Sequence, residues 1–116
     1  MHFTKGNLLD ANVEAVVNAV NTVGVMGKGI ALMFKERFPK NYREYVAASK
    51  VGAIQIGRMF VSATAELSGP KWVINFPTKK HWRYPSKLEW VRSGLVALRE
   101  VIQEKQISSV AVPPLG

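Results

Sequence analysis

Two amides, three glycines and a lysine fall within one short stretch: Asn18, Asn21, Gly24, Gly27, Lys28 and Gly29. Amide side chains offer donors and acceptors to sugar hydroxyls. Glycines let the backbone approach a ligand, and a helix starting beyond them aims free N–H groups at an anion. A second set of reactive types runs through Thr78, Lys79, Lys80, His81, Trp82, Arg83 and Tyr84. A lysine amine is a nucleophile when neutral, a state that burial and neighbouring cations favour, and aromatic rings suit a nucleobase. Each set also has a plainer reading. The glycines suit a tight strand-to-helix turn that holds nothing, either asparagine suits a turn cap, and paired lysines suit solvent or DNA phosphate.

Two phosphate-binding signatures are excluded by spacing. A P-loop places serine or threonine directly after its Gly-Lys, and here Gly29 follows Lys28; its first glycine would stand at Thr22. The dinucleotide fingerprint puts its close glycine pair first. What remains is a cradle of diphosphate size at a helix N-terminus.

The composition narrows the partners. The 116 residues form one domain, 47% apolar and 21% charged, with a net charge of +8 from 16 basic against 8 acidic residues. That balance favours polyanions or phosphate-bearing ligands, or only a basic surface. Asp10 is the sole aspartate and His2 and His81 are the only histidines. A metal site or a working carboxylate pair is therefore poorly supported, and no cofactor is called for. Without cysteine there is no disulfide or thiol chemistry. No apolar run approaches the roughly 20 residues that span a bilayer, and the N-terminus carries no signal-peptide pattern. A cytoplasmic protein without membrane contact is expected.

The elements that must position these residues follow from periodicity. Residues 1–5 predict a short strand and Gly6–Asp10 a turn. The β-branched run Glu14–Val20 predicts a central strand buried on both faces. Ile30, Met33, Phe34 and Phe38 stand at helical spacing, with Pro39 ending that helix. Asn41 is the expected cap of a second helix reaching about Ala48. Strands are predicted at Arg58–Thr64 and Lys71–Phe76. Ser86 and Glu89 read as a capping box, opening a helix to about Gln106 with Leu88, Val91, Leu95, Leu98 and Ile102 as its core stripe. Ser109–Val112 is the last predicted strand. Strands alternating with helices predict an α/β fold, a mixed, mostly parallel sheet between helical layers. Ligands in such sheets sit at the carboxyl ends of strands, where residues 18–31, residues 77–85 and the loop from Pro113 would converge.

Three segments together match a known pattern. Val17-Asn18-Ala19-Val20-Asn21, then Gly24-x-Met26-Gly27-Lys28-Gly29-Ile30-Ala31, and finally Val112-Pro113-Pro114-Leu115-Gly116 resemble the macrodomain family, the ADP-ribose-binding α/β/α module, along the whole chain. Asn75-Phe-Pro-Thr-Lys-Lys-His-Trp-Arg83 is most similar to the branch that removes ADP-ribose from DNA as an antitoxin to an ADP-ribosyltransferase toxin. There is also similarity to macrodomains that release ADP-ribose from glutamate. The resemblance implies a hydrolase that binds ADP-ribose and acts on ADP-ribosylated, preferably single-stranded, DNA. Asn7 falls where many members have an adenine-contacting aspartate, with the backbone of Leu8 and Leu9 nearby. Asn18 and Asn21 are ligand-facing candidates, with Asn21 toward the distal ribose. Val25, Met26, Gly27, Lys28, Gly29, Ile30 and Ala31 would wrap the diphosphate and that ribose. Thr78 would enter from the side, and the family's catalytic lysine falls on Lys79 or Lys80, with Lys80 favoured. Pro114, Leu115 and Gly116 open the family's second phosphate loop, so residues 1–116 are expected to form a macrodomain lacking the rest of that loop and the last helix. Two other functions use the same cleft: release of ADP-ribose from protein carboxylates or from O-acetyl-ADP-ribose, and binding without catalysis.

Overall fold

In a computed structural model, residues 12–27, 29–81 and 84–115 are described. Along the chain run β1 (Ala15–Asn21), α1 (Gly29–Arg37), α2 (Pro39–Lys50), β2 (Phe60–Ala63), β3 (Trp72–Lys79), α3 (Leu88–Glu104) and β4 (Val110–Ala111). The sheet order is β2-β3-β1-β4. β1 pairs in parallel with β3 and β4, while β2 joins the β3 edge antiparallel. The sheet is thus mixed and mostly parallel, as the alternation of elements predicts. The expected strand at residues 1–5 and turn at Gly6–Asp10 lie outside the described residues.

Successive residues of β1 face opposite layers. Ala15 and Val17 pack with Ile74, Phe76, Leu98 and Ile102 under α3. Val16 packs with Phe34, Phe38 and Val73 under α1. Val20 joins Met26, Tyr45 and Ile54 beneath α2. Helices on both faces explain why β1 reads as a continuous apolar run. Helix α3 comes very close to the sheet at Gly94, where an added Cβ would stand 2.4 Å from the Phe76 ring. It starts beside the carboxyl end of β3, with Lys80 reaching Trp90, and ends near the start of that strand, with Lys105 over Trp72.

Several local expectations are corrected. Asn41 does not cap α2, because Pro39 already occupies the first helical turn, where its missing N–H costs nothing. Asn41 is instead buried and exchanges amide hydrogen bonds with Asn75 of β3, at 2.8 and 3.2 Å. Ser86 does not cap α3 either. The helix begins two residues later, and Lys87 holds the cap position without a side-chain bond. Of the expected apolar stripes, Phe34, Phe38, Leu98 and Ile102 are buried, whereas Ile30, Met33, Leu88 and Leu95 are exposed.

Candidate active site

A cleft of about 480 Å³ opens at the carboxyl ends of β1 and β3. Ala19, Val20 and Asn21 of β1 form its floor. Val25, Gly27 and Ala31 supply one wall, Thr78 and Lys79 the other, and Pro114 and Leu115 close the side beyond β4. The three segments expected to converge therefore do so. Asn7, Leu8, Leu9, Lys28 and Gly116 lie outside the described residues.

The glycine-loop wall is ordered from below by Asn21. Its Oδ1 accepts N–H groups from Val23, Gly24 and Val25 at 3.1–3.2 Å, and its Nδ2 donates to the Val25 carbonyl at 2.9 Å. The Tyr45 hydroxyl of α2 donates toward the Asn21 carbonyl at 2.7 Å and Oδ1 at 2.9 Å. Asn21 is thus chiefly the cap of this turn, and only its second amide N–H is uncommitted to the loop. Burial pushes the Tyr45 hydroxyl up to about 12, which keeps it a neutral donor. Tyr45 carried no local sign of this role, since it falls on the stripe of an ordinary helix. Gly24 is held at φ +87° with its backbone against α2, where a Cβ would meet Ser49 Oγ at 2.3 Å. Only glycine fits both the conformation and the space.

Asn18 takes a different place from Asn21. It is fully buried, with Nδ2 3.8 Å from the Met26 sulfur and Oδ1 without a partner among the described residues. Met26 points into the core with Val20 and Tyr45, so it anchors the loop, while Val25, Gly27 and Ile30 remain at the surface. Beyond the loop, the first turn of α1 carries no acidic residue. Its N-terminal dipole thus meets no carboxylate within that turn and favours an anion there.

The opposite wall depends on a bulge. Val20 pairs with Pro77 and Asn21 with Lys79, so Thr78 is an extra residue on β3. A bulge breaks side-chain alternation, and the neighbours Thr78 and Lys79 both line the cleft. Lys80 follows, exposed, with its ammonium 5.4 Å from the centre of the Trp90 ring. Thr22 ties the two walls together: its N–H donates to the Lys79 carbonyl at 3.0 Å and its hydroxyl to the Lys80 carbonyl at 2.8 Å. The glycine loop thus faces the basic end of β3 across the cleft.

A Macro domain family model matches residues 17–116. The DNA ADP-ribosyl glycohydrolase of Thermus aquaticus is 57% identical over 116 residues, 100% of this chain and 32% of that protein. The solved macrodomain of Mycobacterium tuberculosis DarG is 59% identical, with a TM-score of 0.96 over 98% of this chain and 75% of that one. The structure of Thermosipho africanus DarTG in complex with ADP-ribose is 34% identical, with a TM-score of 0.85 over 98% of this chain and 32% of its own. The chain spans about a third of the length of the curated relatives it matches.

Proposed function

This chain belongs to the macrodomain family, and on that footing we propose that it removes ADP-ribose from DNA bases. The cleft carries the proposal: the glycine loop stands opposite Thr78 and Lys79 at the end of β3, with Lys80 next along the chain. Support comes from relatives named DNA ADP-ribosyl glycohydrolase at 57% and 59% identity. The diphosphate lies along the Val25–Ala31 wall and the α1 N-terminus, and Lys79 faces it as a counter-charge. On this reading the bond to be broken lies at the rim, beside the exposed Lys80. The Lys80 nitrogen attacks the anomeric carbon with its lone pair, and the bond to the base breaks with its electron pair leaving on the base. The attached nitrogen then gives up its two protons, one to the departed base and one to the ring oxygen as the carbon–oxygen bond breaks and the sugar opens, leaving an imine. Water then hydrolyses it, returning the amine and ADP-ribose. The natural setting on this proposal is cytoplasmic, opposing an ADP-ribosyltransferase toxin that modifies single-stranded DNA.

The test is release of ADP-ribose from a modified oligonucleotide. Lys80→Ala is expected to lower kcat by about 10²–10⁴-fold, the range for loss of one reactive group, while calorimetric ADP-ribose affinity stays within about threefold, well under one tenfold step in Kd. Lys79→Ala should weaken ADP-ribose binding instead. Full activity in both variants overturns the lysine mechanism. Faster turnover of glutamate-linked ADP-ribose or O-acetyl-ADP-ribose at equal concentration overturns the DNA substrate, and tight binding without any turnover identifies a reader.

A further inference from the structure

Trp90 in the first turn of α3 has two ammonium groups over its ring, Lys80 at 5.4 Å and Lys87 at 5.2 Å. Like charges resist such gathering, and each contact with the ring offsets part of that repulsion. The charge there is also not neutralised by the chain. Ion pairs among the described residues are Arg37–Glu66 and Lys40–Glu44, both on the α1–α2 side of the sheet. Beside the cleft, Lys79, Lys80 and Lys87 have no carboxylate partner among the described residues. The exposed Tyr84 ring adjoins the same corner, 5.6 Å from His81.

We infer that Lys87 and Trp90 form a contact for the DNA strand running past the modified base, with Lys87 on a phosphate. This rests on the DNA reading of the cleft above. Two features support it together. Topology puts the start of α3 at the carboxyl end of β3, so this corner lies beside the cleft rim, within reach of a strand whose modified nucleotide sits there. Unpaired lysines beside an aromatic ring are also the combination that holds single strands without sequence preference. Lys87 is then a residue for substrate strength and not for bond cleavage.

The experiment measures anisotropy of a fluorescent, unmodified single-stranded oligonucleotide across a salt series. Lys87→Gln should weaken binding by about fivefold at low salt and reduce the log–log salt slope by about 0.7, the value for one single-strand phosphate contact. Lys105→Gln, at the far end of α3 over Trp72, removes the same charge and should change neither. With modified substrate, Lys87→Gln should raise KM on an oligonucleotide, leave kcat unchanged and leave turnover of a modified mononucleotide unchanged. An unaltered slope in Lys87→Gln, or an equal loss in Lys105→Gln, overturns the inference. Absence of ADP-ribose release by the unaltered protein overturns the proposed function alone, because the oligonucleotide series still decides the strand contact.

Discussion

The two walls of the cleft are built on opposite plans. The glycine-loop wall presents backbone, and its order is imposed from the interior by Asn21, Tyr45 and Met26. The β3 wall presents side chains, and its order comes from strand pairing and one bulge. A wall held from the interior suits the part of a ligand that does not change during reaction. A wall of side chains suits the part that does. On the proposed function, holding and reacting fall to different elements, and substitutions should separate them.

The largest structural effect is expected from Asn21→Ala. It strips three backbone N–H groups of their acceptor, while the Tyr45 hydroxyl keeps the Asn21 carbonyl. The loss should cost about 2–3 kcal/mol in urea unfolding. ADP-ribose affinity should fall by at least about tenfold in parallel, as the loop that lines the cleft loses its order. Stability within about 0.5 kcal/mol of the parent, the level of an unremarkable surface change, would mean that the loop supports itself and that the contrast between walls is misplaced.

Tyr45→Phe should act on the same wall more gently, by about 1 kcal/mol for one buried hydrogen bond. Its pH dependence sharpens the point. The hydroxyl is raised to about 12 in the folded chain from an ordinary 10.0. Below pH 10 both folded and unfolded states keep the proton, so stability is unaffected. Between about pH 10 and 12 the unfolded state releases it while the folded state does not, and stability falls as pH rises. Unfolding measured at pH 9.5 and 11 should show a steeper loss for the parent than for Tyr45→Phe, since other titrating groups are common to both.

Thr22→Val tests the tie between walls and should have the smallest effect on stability. The exposed hydroxyl bond to the Lys80 carbonyl is worth less than about 1 kcal/mol. Turnover should nevertheless drop about fivefold to tenfold, because misplacing a reacting group costs rate steeply, while ADP-ribose binding stays unchanged. Equal losses in binding and turnover would show that the walls are one unit.

The order of elements was legible because hydrophobic period survives in any single segment. Glu14–Val20 reads as buried on both faces, and β1 is. The glycine stretch likewise announces a turn before a helix. Details that depend on a distant partner were not legible. Asn41 has the look of a local cap, yet its bonds are to Asn75, 34 residues away. Asn18 and Asn21 have the same type and neighbouring positions, but one is sealed against Met26 and the other caps the loop. Strict strand alternation would send Thr78 and Lys79 to opposite faces, and only the pairing register reveals the extra residue.

That extra residue makes chain length, more than composition, the variable that sets this cleft. Removing Thr78 would restore alternation and reset the faces that the following lysines take, without altering any charge. Substitutions near the site can be graded in effect, but a one-codon deletion there is a change of kind. Surface segments such as residues 65–69, where Leu67 is fully exposed, face no such constraint. Natural variation in length should therefore collect in the β2–β3 connection and avoid the last turn of β3.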